Sequence, residues 1–388
     1  MTVLIQDSAR NNLASWTARA VEGGDAIGAI MSPFCSPRLG NGYHKSADAV
    51  RQDIEDQGGE FWFDASTHAL QMPSVGDFRF YDDWQLWPGA RGDLSSASLR
   101  VGHVRKVFAV QEQLGARLLG PTILLHSAQS ATSLQAIELA RAAQEVANGR
   151  EFWLSIVGDS HFWASEADLD GFIGVMDQIE PTGWILSVAR PLSGVPVGAE
   201  AKEVAGLMRT SAALGTSCPV IIGHGDLAAL PAAAAGASVV GSGWDVRQRV
   251  LAYPDFAERP PADPDAIASW YARPTLEGLL GNMVPNEFAV LQSQRPNLAT
   301  RLYAGAHTAG AQQTFRHHVQ VINNVMTAVE GQGQGLRARV EALEEIYKEC
   351  LVEWPAVQAI TRSAAGGDQW VSPLLAGVQQ FKSDEGWA

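Results

Sequence analysis

Seven short apolar runs alternate with amphipathic helical stretches over about 230 residues. The runs end on polar residues, and the alternation then gives way to a proline-punctuated loop and long helical periods. These observations predict an α/β fold: a (β/α)8 TIM barrel with an insertion after strand 2 and a C-terminal helical extension. Alternation alone also suits an open doubly wound sheet, but seven units in so short a span fit a closed barrel better.

The strand-like runs are 26–34, 60–64, 122–126, 152–157, 184–188, 220–223 and 238–241. Helical patterns lie at 46–57, 101–114, 133–148, 167–179, 200–214 and 227–235. Gly58-Gly59, Gly149, Gly215 and Gly236 stand where helices should stop, because glycine reaches the left-handed conformation that ends a helix. Asp226 is placed to cap the short alanine helix. Residues 78–98, rich in Trp, Asp and Gly, read as the insertion, and no eighth strand stands out. Pro254, Pro260, Pro261, Pro264 and Pro274 punctuate a loop that sets a boundary near 258–265. It divides a barrel domain, 1–260, from a mainly helical extension, 261–388, with helices expected at 312–329 and 336–351.

Composition narrows the function classes. No stretch of ~18 uncharged apolar residues exists to span a membrane. The opening MTVLIQDSARNN lacks a basic segment followed by an apolar one, so no secretory leader is expected and a cytoplasmic location is. Cys35, Cys218 and Cys350 lie far apart, which predicts neither a disulfide framework nor a cysteine knuckle for zinc. No cofactor is expected. The net charge of −14 speaks against non-specific coating of nucleic acid, which depends on cationic side chains, yet permits a local basic groove. Arginine outnumbers lysine 23 to 5; GC-rich coding and bidentate phosphate recognition both produce that bias.

In a barrel the chemistry sits at the carboxyl ends of the strands. Asp64 and Asp245 both hold such positions. Each has a structural reading, a turn cap for Asp64 and an arginine ion pair for Asp245. Each also has a catalytic one, since two carboxyls at one barrel mouth can serve as nucleophile and acid/base in glycosyl transfer. His126, His161 and His224, joined by Asp159 or Asp226, could ligate a metal. They lie on different strands without tight spacing, and hydrogen-bonding pocket residues are the preferred reading. Gly223-His224-Gly225 before a helix is similar to a phosphate cradle. Trp244 stands where it could line a base-stacking pocket, and Cys35 reads as a structural thiol.

Several stretches, in order, resemble the tRNA-guanine transglycosylase family. Gly42-Tyr43-His44, Gly58-Gly59 and Phe63-Asp64-Ala-Ser-Thr-His-Ala-Leu-Gln71 look like its Tyr-His, Gly-Gly and Thr-Asp-Ser-Gly-Gly-Phe-Gln segment. Ile156-Val157-Gly158-Asp159 is similar to its Ile-Val-Gln-Gly, and Gly183-Trp184-Ile-Leu-Ser187-Val188 to its Gly-Tyr-Ala-Ile-Gly-Gly. Ile222-Gly223-His-Gly225-Asp-Leu227 through Gly236 to Trp244-Asp245-Val246 resembles its Met-Gly-Val-Gly, Asp-Leu, Gly and Phe-Asp-x-Val. Arg316-His317-His318 to Asn323-Asn324 is loosely similar to its last His-Asn helix. The likeness covers roughly residues 28–250 and part of the tail.

The resemblance implies Asp245 as nucleophile and Asp64 as general acid/base. Ser66, His126, Gly158, Asp159, Ser187, Val188, Gly223 and His224 are the expected base-binding residues, and His126, Asp159 and Ser187, which all end barrel strands, are expected in one cavity with Asp64. Arg247 and Arg249 follow Asp245 closely enough to hold acceptor phosphates. The implied reaction exchanges guanine in a nucleic acid for a 7-deazaguanine base such as preQ0 through a covalent aspartyl-glycosyl intermediate. This sequence departs from the family in lacking its cysteine-and-histidine zinc site. His126 and Gly158 replace its base-reading aspartate and glutamine, and Ser66-Thr67 its double glycine. Such departures look like a divergent, zinc-free paralogue of the branch acting on DNA, so DNA is the favoured acceptor and tRNA the alternative. A non-catalytic nucleic-acid-binding subunit and a transferase on free nucleosides are the competing classes. A homodimer is an admissible assembly, and no membrane partner is expected.

Overall fold

A computed structural model describes residues 1–6, 9–195, 197–258, 273–308, 310–333, 335–361 and 369–387. Most of the boundary expected near 258–265 lies outside these residues. The chain forms a nearly closed parallel barrel with eight strand positions. In chain order they are β1 (Thr2–Gln6), β2 (Gly28–Met31), β3 (Glu60–Phe63), β4 with β5 (Leu119–Gly120, Leu124–Leu125), β6 (Trp153–Asp159), β7 (Gly183–Arg190), β8 (Val220–Gly223) and β9 (Val239–Ser242). The hydrogen-bonded order is β3-β2-β1-β9-β8-β7-β6-β4, with β5 also on β6.

The strand that the pattern left unfound is β1. Its apolar run Val3-Leu4-Ile5 is fully buried, and it pairs in parallel with both β2 and β9. Counted from β1, the insertion occupies its expected place in the chain but follows the third strand. β4 and β5 share one position because both pair with β6, Gly120 opposite Leu154 and Leu124 opposite Val157. Four steps on one strand match three on the other, a bulge. Pro121 stands in it, where its missing N–H costs no ladder bond.

Closure is visible in the packing. Leu4, Ile30, Trp62, Leu119, Trp153, Ile185, Ile221 and Val239, one from each strand position, form a separate buried cluster. A layer drawn from all eight positions is what a filled barrel interior requires. At the seam between β3 and β4, buried Gln111 of helix Ala97–Gln113 bonds to the main chain of both strands.

A two-stranded hairpin, Thr275–Leu276 with Gly281–Asn282, begins the described part of the extension. Helices Ala311–Gly331, Leu336–Thr361 and Val371–Asp384 pack against the barrel's outer helices, the first of them also against β1. At Gly377 a Cβ would lie 2.4 Å from the Val204 side chain, so glycine lets Val371–Asp384 approach helix Ala201–Leu214 closely. No helix among the described residues is long and apolar enough to cross a membrane.

Candidate active site

The main cavity opens at the carboxyl ends of the strands and holds about 1060 Å³ of empty space counted out to its mouth. It is lopsided. Its walls come from Gln6 at the end of β1 and from the chain after β1 (Arg10), β2 (Ser32, Phe34, Cys35, His44), β3 (Asp64, Ser66), β8 (His224) and β9 (Asp245, Arg247, Gln248), with Asp77, Arg79 and Phe80 of the insertion and Asp255 and Phe256.

Asp64 directly follows β3, and its N–H continues the ladder to Met31 O at 2.8 Å. Its Oδ1 accepts the Ser66 N–H at 2.7 Å, a local turn that puts Ser66 in the left-handed region at φ 48°. Burial pushes the Asp64 carboxyl up, opposed by that N–H and by His224. His224 Nδ1 meets Gln248 O at 3.1 Å. Burial, with His68 nearby, lowers His224 to about 4. It is therefore neutral at pH 7, with Nδ1–H donating to the carbonyl.

Asp245 caps the single turn Val246–Arg249, its Oδ1 accepting the N–H groups of Arg247 at 3.1 Å and Gln248 at 3.3 Å. Gln248 Oε1 returns the bond to the N–H of Asp245 at 2.9 Å and takes that of Trp244 at 2.7 Å, completing a capping box. Capping uses one oxygen only. Oδ2 faces Arg10, 3.8 Å away. Burial, with the Asp245 charge close by, pushes the Cys35 thiol up to about 11, so Cys35 is no nucleophile.

Asp64, Ser66, His224, Asp245 and Arg247 thus share one cavity. The other expected residues do not join them, for one reason. The ends of β5, β6 and β7 occupy the opposite half of the rim, and the turn Ser160–Trp163 fills it. Trp163 is wholly buried, its indole N–H shared between Gly158 O and Ser187 O at 3.1 Å each. Gly158 lies under Phe162, whose ring would stand 2.1 Å from an added Cβ. His126 is exposed and pairs with Asp159 at 2.5 Å, outside the cavity, while the other Asp159 oxygen caps Phe162 N at 3.0 Å. Ser187 is buried with its Oγ where a Cβ on Gly223 would fall. Val188 and Gly223 line a smaller adjoining pocket that shares His224. The expected base-binding set of Ser66, His126, Gly158, Asp159, Ser187, Val188, Gly223 and His224 is therefore corrected to Ser66 and His224 in the main cavity.

Arg249 also needs correction. Its side chain is 5% exposed and pairs with Asp226, which His318 Nε2 meets from the other side at 3.0 Å. Burial alone would raise Asp226, but Arg249 and His318 hold its carboxyl far below the usual carboxylate range. Asp226 thus fills the turn after Gly223-His224-Gly225 with a carboxylate, and no phosphate cradle forms there. Trp244 faces the outer helix Asn11–Glu22, donating to Thr17 Oγ1 at 2.7 Å and meeting Trp16 edge-on, away from any base.

Sequence reasoning missed Asp255. It follows β7's short partner Leu251–Ala252, receives the Ser193 hydroxyl at 3.3 Å and lies 3.6 Å from Arg247 Nε. Burial pushes its carboxyl up to about 6, opposed by Arg247. Arg79 was missed too. Asp255 ends the single 3-10 turn Tyr253–Asp255 and Arg79 lies in a turn of the insertion, both too short for a period to mark a facing side chain.

Among the described residues no three His, Cys, Asp or Glu side chains are grouped to hold a metal. Cys350, the extension's one cysteine, is buried inside helix Leu336–Thr361. Among the described residues nothing fits the cysteine-and-histidine zinc site of the family that the sequence resembles. No family model matches the chain, and no curated protein matches it.

Proposed function

We propose that this chain is a base-exchange glycosyltransferase in which Asp245 is the nucleophile and Asp64 the general acid/base. The observation that carries the reading is the pair itself. Two carboxyls line one cavity at the carboxyl end of a barrel, and their surroundings differ: Asp64 is pushed up by burial, whereas Asp245 is fixed by two backbone N–H groups and faces Arg10. Unlike environments are how two carboxyls take unlike roles.

In the first displacement Asp245 Oδ2 attacks C1′ of the target nucleotide. The bond from C1′ to the base nitrogen breaks, its electron pair leaves with the base, and Asp64 supplies the proton the base gains. In the second, an incoming 7-deazaguanine gives a proton to Asp64 and its nitrogen displaces Asp245, restoring the carboxylate. Two inversions give net retention. His224, neutral beside Asp64, offers its unprotonated Nε2 to a base N–H. DNA is the acceptor the resemblance favours, with tRNA second.

A binding-only barrel is the second reading, favoured by the capping box, which gives Asp245 a structural purpose of its own. One experiment separates them: incubation with labelled guanine or 7-deazaguanine and separate DNA and tRNA acceptors. Exchange in wild type that Asp245→Asn abolishes, with nucleic-acid binding retained, supports the enzyme, since asparagine still caps the turn. Label entering neither acceptor removes it.

A further inference from the structure

Among ion pairs between described residues, two alone are longer than 3.4 Å: Arg10–Asp245 at 3.8 Å and Arg247–Asp255 at 3.6 Å. Both line the main cavity. Arg247's guanidinium makes no hydrogen bond to a described residue. Arg79, exposed on the insertion, makes neither hydrogen bond nor ion pair to a described residue, resting 5.8 Å from the Phe80 ring centroid. In a chain of net charge −14, two under-used guanidinium groups at one rim stand out, because a planar fork of N–H donors matches a phosphate's oxygens.

Depth sorts the cavity by chemistry. The floor offers buried Ser66 with half-buried Asp64 and neutral His224, which suit an uncharged head with several donors and acceptors. The charged arginines stand at the rim. Acidic side chains share the same wall, so the rim does not gather anions at large. It suits one phosphate group attached to a head that reaches the floor.

We propose that Arg79 and Arg247 form a phosphodiester subsite at the cavity rim, with Asp255 as the internal anion that occupies Arg247 when the subsite is empty. The inference rests on the base-exchange reading for taking the ligand to be nucleic acid, and it is tested by binding without turnover. Asp255 is suited to yield: it lies beyond hydrogen-bond length from Arg247, and burial disfavours its charge.

The test compares tetrathymidylate with its uncharged methylphosphonate analogue by titration calorimetry on the full chain, for wild type, Arg79→Gln, Arg247→Gln and Asp255→Asn, each checked for fold by circular dichroism. Wild type is expected to bind the charged ligand about tenfold more tightly than the neutral one. Each arginine variant should lose most of that gap, and Asp255→Asn should widen it by releasing Arg247. Equal binding of the two ligands by wild type, or an intact gap in both arginine variants, overturns the subsite. A gap that narrows in Asp255→Asn overturns the role given to Asp255. A gap without base exchange would leave the subsite standing and remove the transferase reading; exchange without a gap would do the reverse.

Discussion

Gln111 and Leu119 exchange two hydrogen bonds across the barrel seam, Gln111 Oε1 accepting Leu119 N–H at 3.0 Å and Nε2 donating to Leu119 O at 2.9 Å. The second Nε2 proton goes to Phe63 O at 2.8 Å on β3. A side-chain amide thus stands in for the rungs that β3 and β4 do not share. Gln111→Leu should leave these buried main-chain groups unmet and cost about 2–4 kcal/mol, read as a lower urea midpoint. A change under about 0.5 kcal/mol would mean that water enters the seam freely.

The Asp226–Arg249–His318 cluster ties the turn after β8, the turn after Asp245 and helix Ala311–Gly331 together, with Thr275 Oγ1 2.8 Å from His318 Nδ1. Removing one member leaves buried charge unpaired. Arg249→Met should therefore destabilise the chain by about 3–5 kcal/mol, and thermal unfolding will register it. Were Arg249 a phosphate ligand, the variant would instead keep its stability and lose acceptor affinity.

Acid should unfold this protein earlier than carboxylate titration alone predicts. Burial lowers His68 to about 3 and His103 and His224 to about 4, and it lowers His318 as well. Each is neutral in the folded chain, while the unfolded chain takes up a proton near pH 6.5. Their stabilisation is complete above that pH and shrinks as pH falls towards 4. Asp255 and Asp64, raised in the fold, oppose this below about pH 6, but they are two carboxyls against six histidines, since His44 and His317 are lowered as well. Urea midpoints at pH 7 and pH 5 test the sign. His68→Leu, which removes a buried Nε2 without a partner, should reduce the difference.

Gly158→Ala separates packing from recognition. A methyl 2.1 Å from the Phe162 ring should cost about 1–3 kcal/mol through overpacking. Phe162→Ala in the same chain should recover part of that loss, a coupling a double-mutant cycle reads directly.

Asp64 and Asp245 were legible because a polar residue closing an apolar run has one place to go in a barrel, the mouth. Which half of the mouth stays open was not legible. It depends on Phe162 and Trp163 folding back over β6 and β7, a contact between side chains that no period encodes. The same limit explains His126 and Asp159, rightly placed at strand ends but on the filled side. β1 escaped notice because five residues at the head of the chain offer no preceding helix to complete an alternation. Arg249 illustrates the reverse error: two arginines one turn from Asp245 look alike in sequence, yet one lines the cavity and the other is buried against Asp226.

The place of β1 between β2 and β9 has a bearing on how the chain is made. Thr2 pairs with Val239, so the strand that comes first among the barrel's strands in chain order needs one of its last. At about 5–20 residues per second, its outer edge waits on the order of 10 to 50 seconds for a partner on the ribosome. Throughout that interval Val3, Leu4 and Ile5, buried in the finished barrel, belong to an open sheet edge that another nascent chain can join. Translation speed and chaperone supply during those seconds therefore bear on how much of this protein reaches the folded state.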